Sequence, residues 1–172
     1  MMPDPASLSI VSFPHECLKR RADPVDPSDP AVAAVAARMI ELMHEANGVG
    51  LAAPQVGLPW RLFVTHARDA DPVDRVFINP VLSLGRGQID IEEEGCLSLP
   101  GIHVQVRRAV HVRVEATDIE GQPLSLDLDG FPARVVQHEF DHLEGILIID
   151  RMGPLDRLAL RRTIAELKAA GR

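Results

Sequence analysis

Apolar residues at Val32, Val35, Met39, Leu42 and Met43 recur every three or four positions, the spacing of one buried helical face. Asp29-Pro30 supplies an N-cap acceptor and a helix-opening proline, and Asn47-Gly48 supplies a stop, so a helix is predicted from Pro30 to about Glu45. Prolines at 14, 24, 27 and 30 break up the chain before it. Short strands are expected at Arg61 to Thr65 and at Arg75 to Asn79. Two more follow from strict alternation: Val110, Val112, Val114 and Ala116, then Leu124, Leu126 and Leu128, joined by a turn at Glu120-Gly121-Gln122-Pro123. From Phe131 the period becomes helical, with Phe131, Val135, His138, His142 and Leu143 near one face of a core helix. A terminal helix from about Pro154 to Ala170 sets Leu155, Leu158, Leu160, Ile164 and Leu167 against Arg157, Arg161, Arg162 and Lys168. With no internal repeat or linker, one domain over residues 1–172 is expected, of the α+β class, with antiparallel strands around a buried helix.

Composition narrows the function. The chain has 172 residues, 46% of them hydrophobic, which suffices for a single core. A net charge of -7 opposes binding along a nucleic-acid backbone, and five Phe, one Trp and no Tyr offer no stacking platform for bases. DNA is therefore not an expected partner. No apolar run approaches the roughly 18–20 residues of a membrane span, so no membrane association is expected either. Two cysteines, Cys17 and Cys96, make no disulfide framework, and the start lacks a basic segment followed by an apolar one; a reducing, cytoplasmic setting is the expectation.

The chemistry concentrates in His138-Glu139-Phe140-Asp141-His142. Two histidines at i and i+4 stand about 40° apart around a helix, so both imidazoles can reach one ion. Glu139 lies one residue from His138, placed to address a water at that ion as general base without occupying the metal. A third ligand is needed. The downstream position of the extended zinc-protease pattern holds Ile148, and Glu166 falls on the amphipathic terminal helix, where it reads as a solvated charge. Upstream, Cys96 within Glu93-Glu94-Gly95-Cys96-Leu97-Ser98 offers a thiolate, and Cys with two His suits zinc or ferrous iron with a fourth position open. Cys17 has no such context and reads as a small buried hydrophobe. A third segment, Gly48 to Gln55, lacks the lysine of a phosphate loop, but the Gln55 amide can donate to an oxyanion.

Taken together, Gly48 to Gln55, Glu94 to Ser98 and Gln137 to His142 resemble the three signature segments of the peptide deformylases, present here in order and unbroken. The resemblance implies that Cys96, His138 and His142 bind one divalent metal, Fe²⁺ foremost, with Zn²⁺, Ni²⁺ or Co²⁺ able to substitute. It implies that Glu139 shuttles a proton during hydrolysis of the formyl group of N-formylmethionyl nascent peptides, while Gln55 and the Leu97 backbone N–H stabilise the oxyanion. By the same analogy Val49 and Gly50 pair with the extended substrate, Phe131 and Val135 line the methionine pocket, and Arg108 holds Asp141. Asn47, Glu92 and His103 depart from the family's usual residues at positions bordering the substrate channel. A monomer is expected, and the basic terminal helix is a candidate contact with the ribosome near the exit tunnel.

Two other readings frame the tests. A general metallopeptidase built on the His-Glu-His unit would cleave internal peptide bonds and would not need Cys96. A structural metal domain or thiol-based sensor would not need Glu139.

Overall fold

The computed structural model describes residues 3–66 and 73–171. Helix α1 (Pro30–Glu45) starts as its sequence predicts, with the Asp29 carboxylate accepting from Ala31 N at 2.9 Å and Pro30 in the first turn. Its buried residues are Val32, Val35, Ala36, Met39, Leu42 and Met43, and the chain leaves it through Asn47 at φ 54°. A five-stranded antiparallel sheet follows, in the order β1 (Gly50–Ala52), β2 (Leu62–His66), β3 (Asp74–Leu84), β6 (His111–Thr117), β7 (Pro123–Asp129). A separate hairpin pairs β4 (Ile89–Gly95) with β5 (His103–Ala109). Helix α2 (Gly130–Leu143), a single-turn α3 (Ile148–Arg151) and α4 (Pro154–Ala170) complete the chain.

Alternation along the strands divides the core. Leu62, Val64, Val76 and Ile78 face α1, together with Leu51. Phe63 and Phe77 point to the other face, stacked at 4.7 Å between ring centroids, against Val136 and Leu143 of α2. The sheet is thus covered on both sides, and α2 lies between it and the β4–β5 hairpin. A third cluster joins Val104 and Val106 of the hairpin to Leu18, Leu99, Leu147 and Ile149, with Leu160, Ile164 and Leu167 of α4 laid over it. The α+β architecture of antiparallel sheets around one helix is the expected one.

Three details differ from the sequence expectation. Strand β3 continues past Asn79 to Leu84, because a register shift between Ile78 and Val81 takes up Pro80, which cannot donate to a ladder. The β4–β5 hairpin goes unassigned from sequence, since Glu92-Glu93-Glu94 and an inward Arg108 break the apolar alternation. In α4, Leu155 and Leu158 are 84% and 63% exposed rather than part of the packed face, which begins only at Leu160.

Gly145, just beyond α2, has φ 70°, and a Cβ there would stand 2.7 Å from the Lys19 carbonyl oxygen. Both the left-handed backbone and the contact resist a side chain. Gly145→Ala is expected to destabilise the fold by about 2–3 kcal/mol, combining the left-handed strain of an L-residue with displacement of the 16–19 turn. Urea unfolding at equilibrium measures it.

Candidate metal centre

Helix α2 carries His138 and His142 on consecutive turns, their ring centroids 5.0 Å apart. Cys96 follows the end of β4 in a turn closed by Leu99 N donating to Cys96 O at 3.0 Å, which brings its Sγ 3.4 Å from His142 Nε2. One donor atom from each of Cys96, His138 and His142 lies within 4.8 Å of the other two. This set fits a divalent ion of the zinc or ferrous class, three protein donors leaving a position for water or substrate. The Gln55 Nε2 reaches toward the same sulfur at 3.6 Å and the Ser98 hydroxyl at 3.3 Å, while its carbonyl oxygen accepts from Ala52 N at 2.9 Å.

Around the donors lies a buried charge network. Glu94 accepts from Arg108 at 2.8 and 2.9 Å and from Arg134 at 2.8 Å, and its second oxygen lies 2.9 Å from His138 Nδ1. That contact occupies one ring nitrogen of His138 and leaves Nε2 for an ion, the usual support of a metal-binding imidazole. Arg108 continues to Asp141 at 2.5 Å, and Arg151 clamps Asp141 from α3. Burial by itself would raise the Glu94 carboxyl, but the bonds from Arg108 and His138 outweigh it and hold the group far below the ordinary carboxylate range.

The remaining titratable groups suit a cation. Burial opposes a charge on His138, yet Cys96 and Glu94 overcome it and raise its affinity for a proton, a position that an ion can take instead. His142 is pushed the other way by burial and by His138, which keeps it neutral and ready to ligate. Glu139 is raised to about 7, chiefly by burial, with its Oε2 making no hydrogen bond among the described residues. Gly50 makes room for it: a Cβ on Gly50 would stand 2.3 Å from Glu139 Oε1.

Cys96, His138 and Glu139 open on a cleft of about 470 Å³. Val49, Gly50, Gln55, Leu97, Phe131 and Val135 all line it; Val135 is buried and Phe131 is half exposed. Asn47, Glu92 and His103 line it as well. Cys17 is buried in the turn at 16–19, away from this set, and Glu166 pairs with Arg162 on the exposed side of α4. Arg108 meets Asp141 as anticipated. The parts of Glu94, Arg134 and Arg151 were not read from the sequence; the available signal was Arg108 in register with Val104 and Val106, an inward charge that requires buried partners.

A thiolate and two helix-borne imidazoles beside a buried acid, in an α+β frame, define a hydrolase of the metal-dependent class. Residues 7–158 match the polypeptide deformylase family. Peptide deformylase of Thermotoga neapolitana is 44% identical over 155 residues, 90% of this chain and 93% of the relative, and that of Aquifex aeolicus is 44% identical over 93% and 96% of the two chains. Among solved structures, a plant peptide deformylase superposes with a TM-score of 0.89 at 34% identity, covering 95% of this chain and 90% of its own. The Thermotoga maritima enzyme gives 0.79 at 42% identity over 86% and 98%. The chain belongs to the polypeptide deformylase family, metal-dependent enzymes that remove the N-formyl group from nascent polypeptides.

Glu94→Gln leaves Arg108 and Arg134 with buried, undercompensated charge. A loss of about 3–5 kcal/mol in unfolding free energy is expected, the cost of breaking a buried ion pair from one side. Equilibrium denaturation of the two proteins measures it, and a loss below about 1 kcal/mol would place the network's anchor elsewhere.

Proposed function

We propose that this chain hydrolyses the formyl amide of N-formylmethionyl peptides, with Cys96, His138 and His142 as the metal ligands and Glu139 as the proton carrier. The observation that carries the assignment of Glu139 is its carboxylate: buried, unpartnered at Oε2 among the described residues, raised to about 7, and beside the three-donor set. A group poised near neutrality both accepts and returns a proton efficiently. An ion held by Cys96, His138 and His142 would supply Lewis acidity toward a water and the formyl oxygen. Glu139 accepts a proton from the water as its oxygen adds to the formyl carbon. The Gln55 amide and the Leu97 N–H donate to the oxygen that gains charge. As the carbon–nitrogen bond breaks, Glu139 returns the proton to the leaving nitrogen, giving formate and a free amino terminus.

Substrate placement follows from the cleft. Val49 and Gly50 lie at its edge, beside β1, where an extended peptide can pair with main chain. Val135 and Phe131 offer apolar surface one and two turns before His138, a pocket for the methionine side chain. For the ion we propose Fe²⁺, with Zn²⁺, Ni²⁺ or Co²⁺ able to substitute. We further propose that residues 1–172 act as one catalytic domain and as a monomer in the cytoplasm. Among the described residues no helix is long and apolar enough to cross a membrane. Arg157, Arg161, Arg162 and Lys168 lie exposed on α4 and would serve as the ribosome contact; the segment past residue 158 lies beyond the family match.

Formate release from formyl-Met-Ala-Ser by anaerobically prepared, metal-replete protein tests the reaction. Glu139→Ala is expected to lower kcat about 10²–10⁴-fold with metal content unchanged, whereas Cys96→Ser is expected to lose the metal itself. Equal kcat in wild type and Glu139→Ala would remove Glu139 from the chemistry. In air, the iron form is expected to lose activity faster than the nickel form, since Fe²⁺ and the thiolate both oxidise; parallel decay curves would count against iron.

A further inference from the structure

A second group of donors lies at the far end of β2. His44 comes from the last turn of α1, His66 ends β2, and Asp74 opens β3 directly across from His66 in the strand register. His44 Nε2 lies 2.9 and 3.0 Å from the two Asp74 oxygens, and His66 Nδ1 lies 2.8 Å from one of them. One ligand atom from each residue falls within 4.8 Å of the other two. We propose that His44, His66 and Asp74 form a second divalent transition-metal site, independent of the catalytic one and composed of two imidazoles and a carboxylate.

The comparison with the catalytic pair supports it. The rings of His44 and His66 have centroids 4.8 Å apart and planes at 77°, close to the 5.0 Å and 65° of His138 and His142. In the catalytic pair that spacing comes from consecutive turns of one helix. Here it is reached by three separate elements, which hold the rings edge to face with a carboxylate between the two nitrogens. Asp74 stays ionised in this setting: partial burial opposes its charge, but the bonds from His44 and then His66 outweigh it. Two imidazole ligands and one carboxylate contribute one negative charge to a bound ion, so a divalent ion leaves a net charge of one and, at a half-exposed site, positions for water. Imidazole with carboxylate favours zinc, cobalt, nickel or copper over calcium or magnesium, which take oxygen sets.

An ion here would also brace the edge of the cleft. The His66 backbone N–H donates to the Val49 carbonyl at 2.9 Å, and Val49 lines the cleft two residues after Asn47, where α1 has given way to β1. Tying the last turn of α1 to β2 and β3 fixes the frame from which Val49 and Gly50 project. The role is structural support and calls for no step in hydrolysis.

Cobalt discriminates the two sites. Thiolate ligation at Cys96 produces an intense near-ultraviolet charge-transfer band, and a nitrogen–oxygen site adds only weak visible bands. Protein equilibrated with micromolar buffered Co²⁺ and then analysed for total metal is expected to hold two ions per chain. His44→Ala and Asp74→Asn are each expected to hold one fewer than the parent, with the thiolate band intact and formate release within about twofold of the parent. Cys96→Ser is expected to lose the band and its ion while retaining the other. Equal metal counts in the parent, His44→Ala and Asp74→Asn would show a hydrogen-bonded triad only and overturn the second site. Loss of the thiolate band in His44→Ala or Asp74→Asn would overturn its independence from the first. Circular dichroism of each variant, at positions exposed or half-exposed on the surface, confirms that the fold is unchanged.

Discussion

The buried carboxylate of Glu94 is the constraint on which the metal centre depends. It accepts from Arg108 on the neighbouring strand and from Arg134 on α2, and it contacts His138. Buried ion pairs return little net stability against an apolar core, because each charge costs desolvation. Their value here is geometric. A carboxylate that satisfies two guanidinium groups and an imidazole at once has very few acceptable positions, so the hairpin cannot slide along α2 without leaving a charge unpaired. Cys96 stands two residues after Glu94 on that same hairpin, and its reach to His142 follows from the register that Glu94 imposes.

Glu139 presents the opposite use of burial. Where Glu94 is surrounded by donors and kept charged, Glu139 is buried with no partner at Oε2 among the described residues, and its carboxyl rises toward neutrality. The two buried acids thus divide into one held charged by its donors and one raised toward neutrality. The close approach of β1 makes this possible: Gly50 has no side chain to keep Glu139 away from the strand. The same small residue lets the acid be buried while both line the cleft.

Much of this arrangement was legible before the structure. The i, i+4 histidines, the intervening acid and the cysteine are local patterns whose chemistry depends on residue type and short spacing, and α1 and α4 follow from caps, prolines and period. The β4–β5 hairpin was hidden because its inward positions include Glu94 and Arg108, so the pattern that marks a strand was replaced by charges whose partners lie distant in sequence. Leu155 and Leu158 misled in the reverse sense: a helix can carry leucines that its neighbours do not cover, since periodicity specifies a face and not what packs on it. The His44, His66 and Asp74 group had no sequence signal, being assembled by strand register and helix packing.

The two imidazoles of the candidate metal centre are held unequally. His138 is fixed through its Nδ1 by Glu94, whereas the Nδ1 of His142 has no hydrogen-bond partner among the described residues and relies on packing within α2. Cys96 and the support of His138 therefore both travel with the β4–β5 hairpin, and His142 travels with the helix. Arg108 closes the loop: it leaves Glu94 and bonds Asp141, one residue before His142, while Arg151 holds Asp141 from α3. The hairpin is thus tied to the turn of His138 through Glu94 and to the turn of His142 through Arg108 and Asp141. The three candidate donors are held together by charges of which only Glu94 touches one of them, at His138, so two distant stretches of chain are joined at one site.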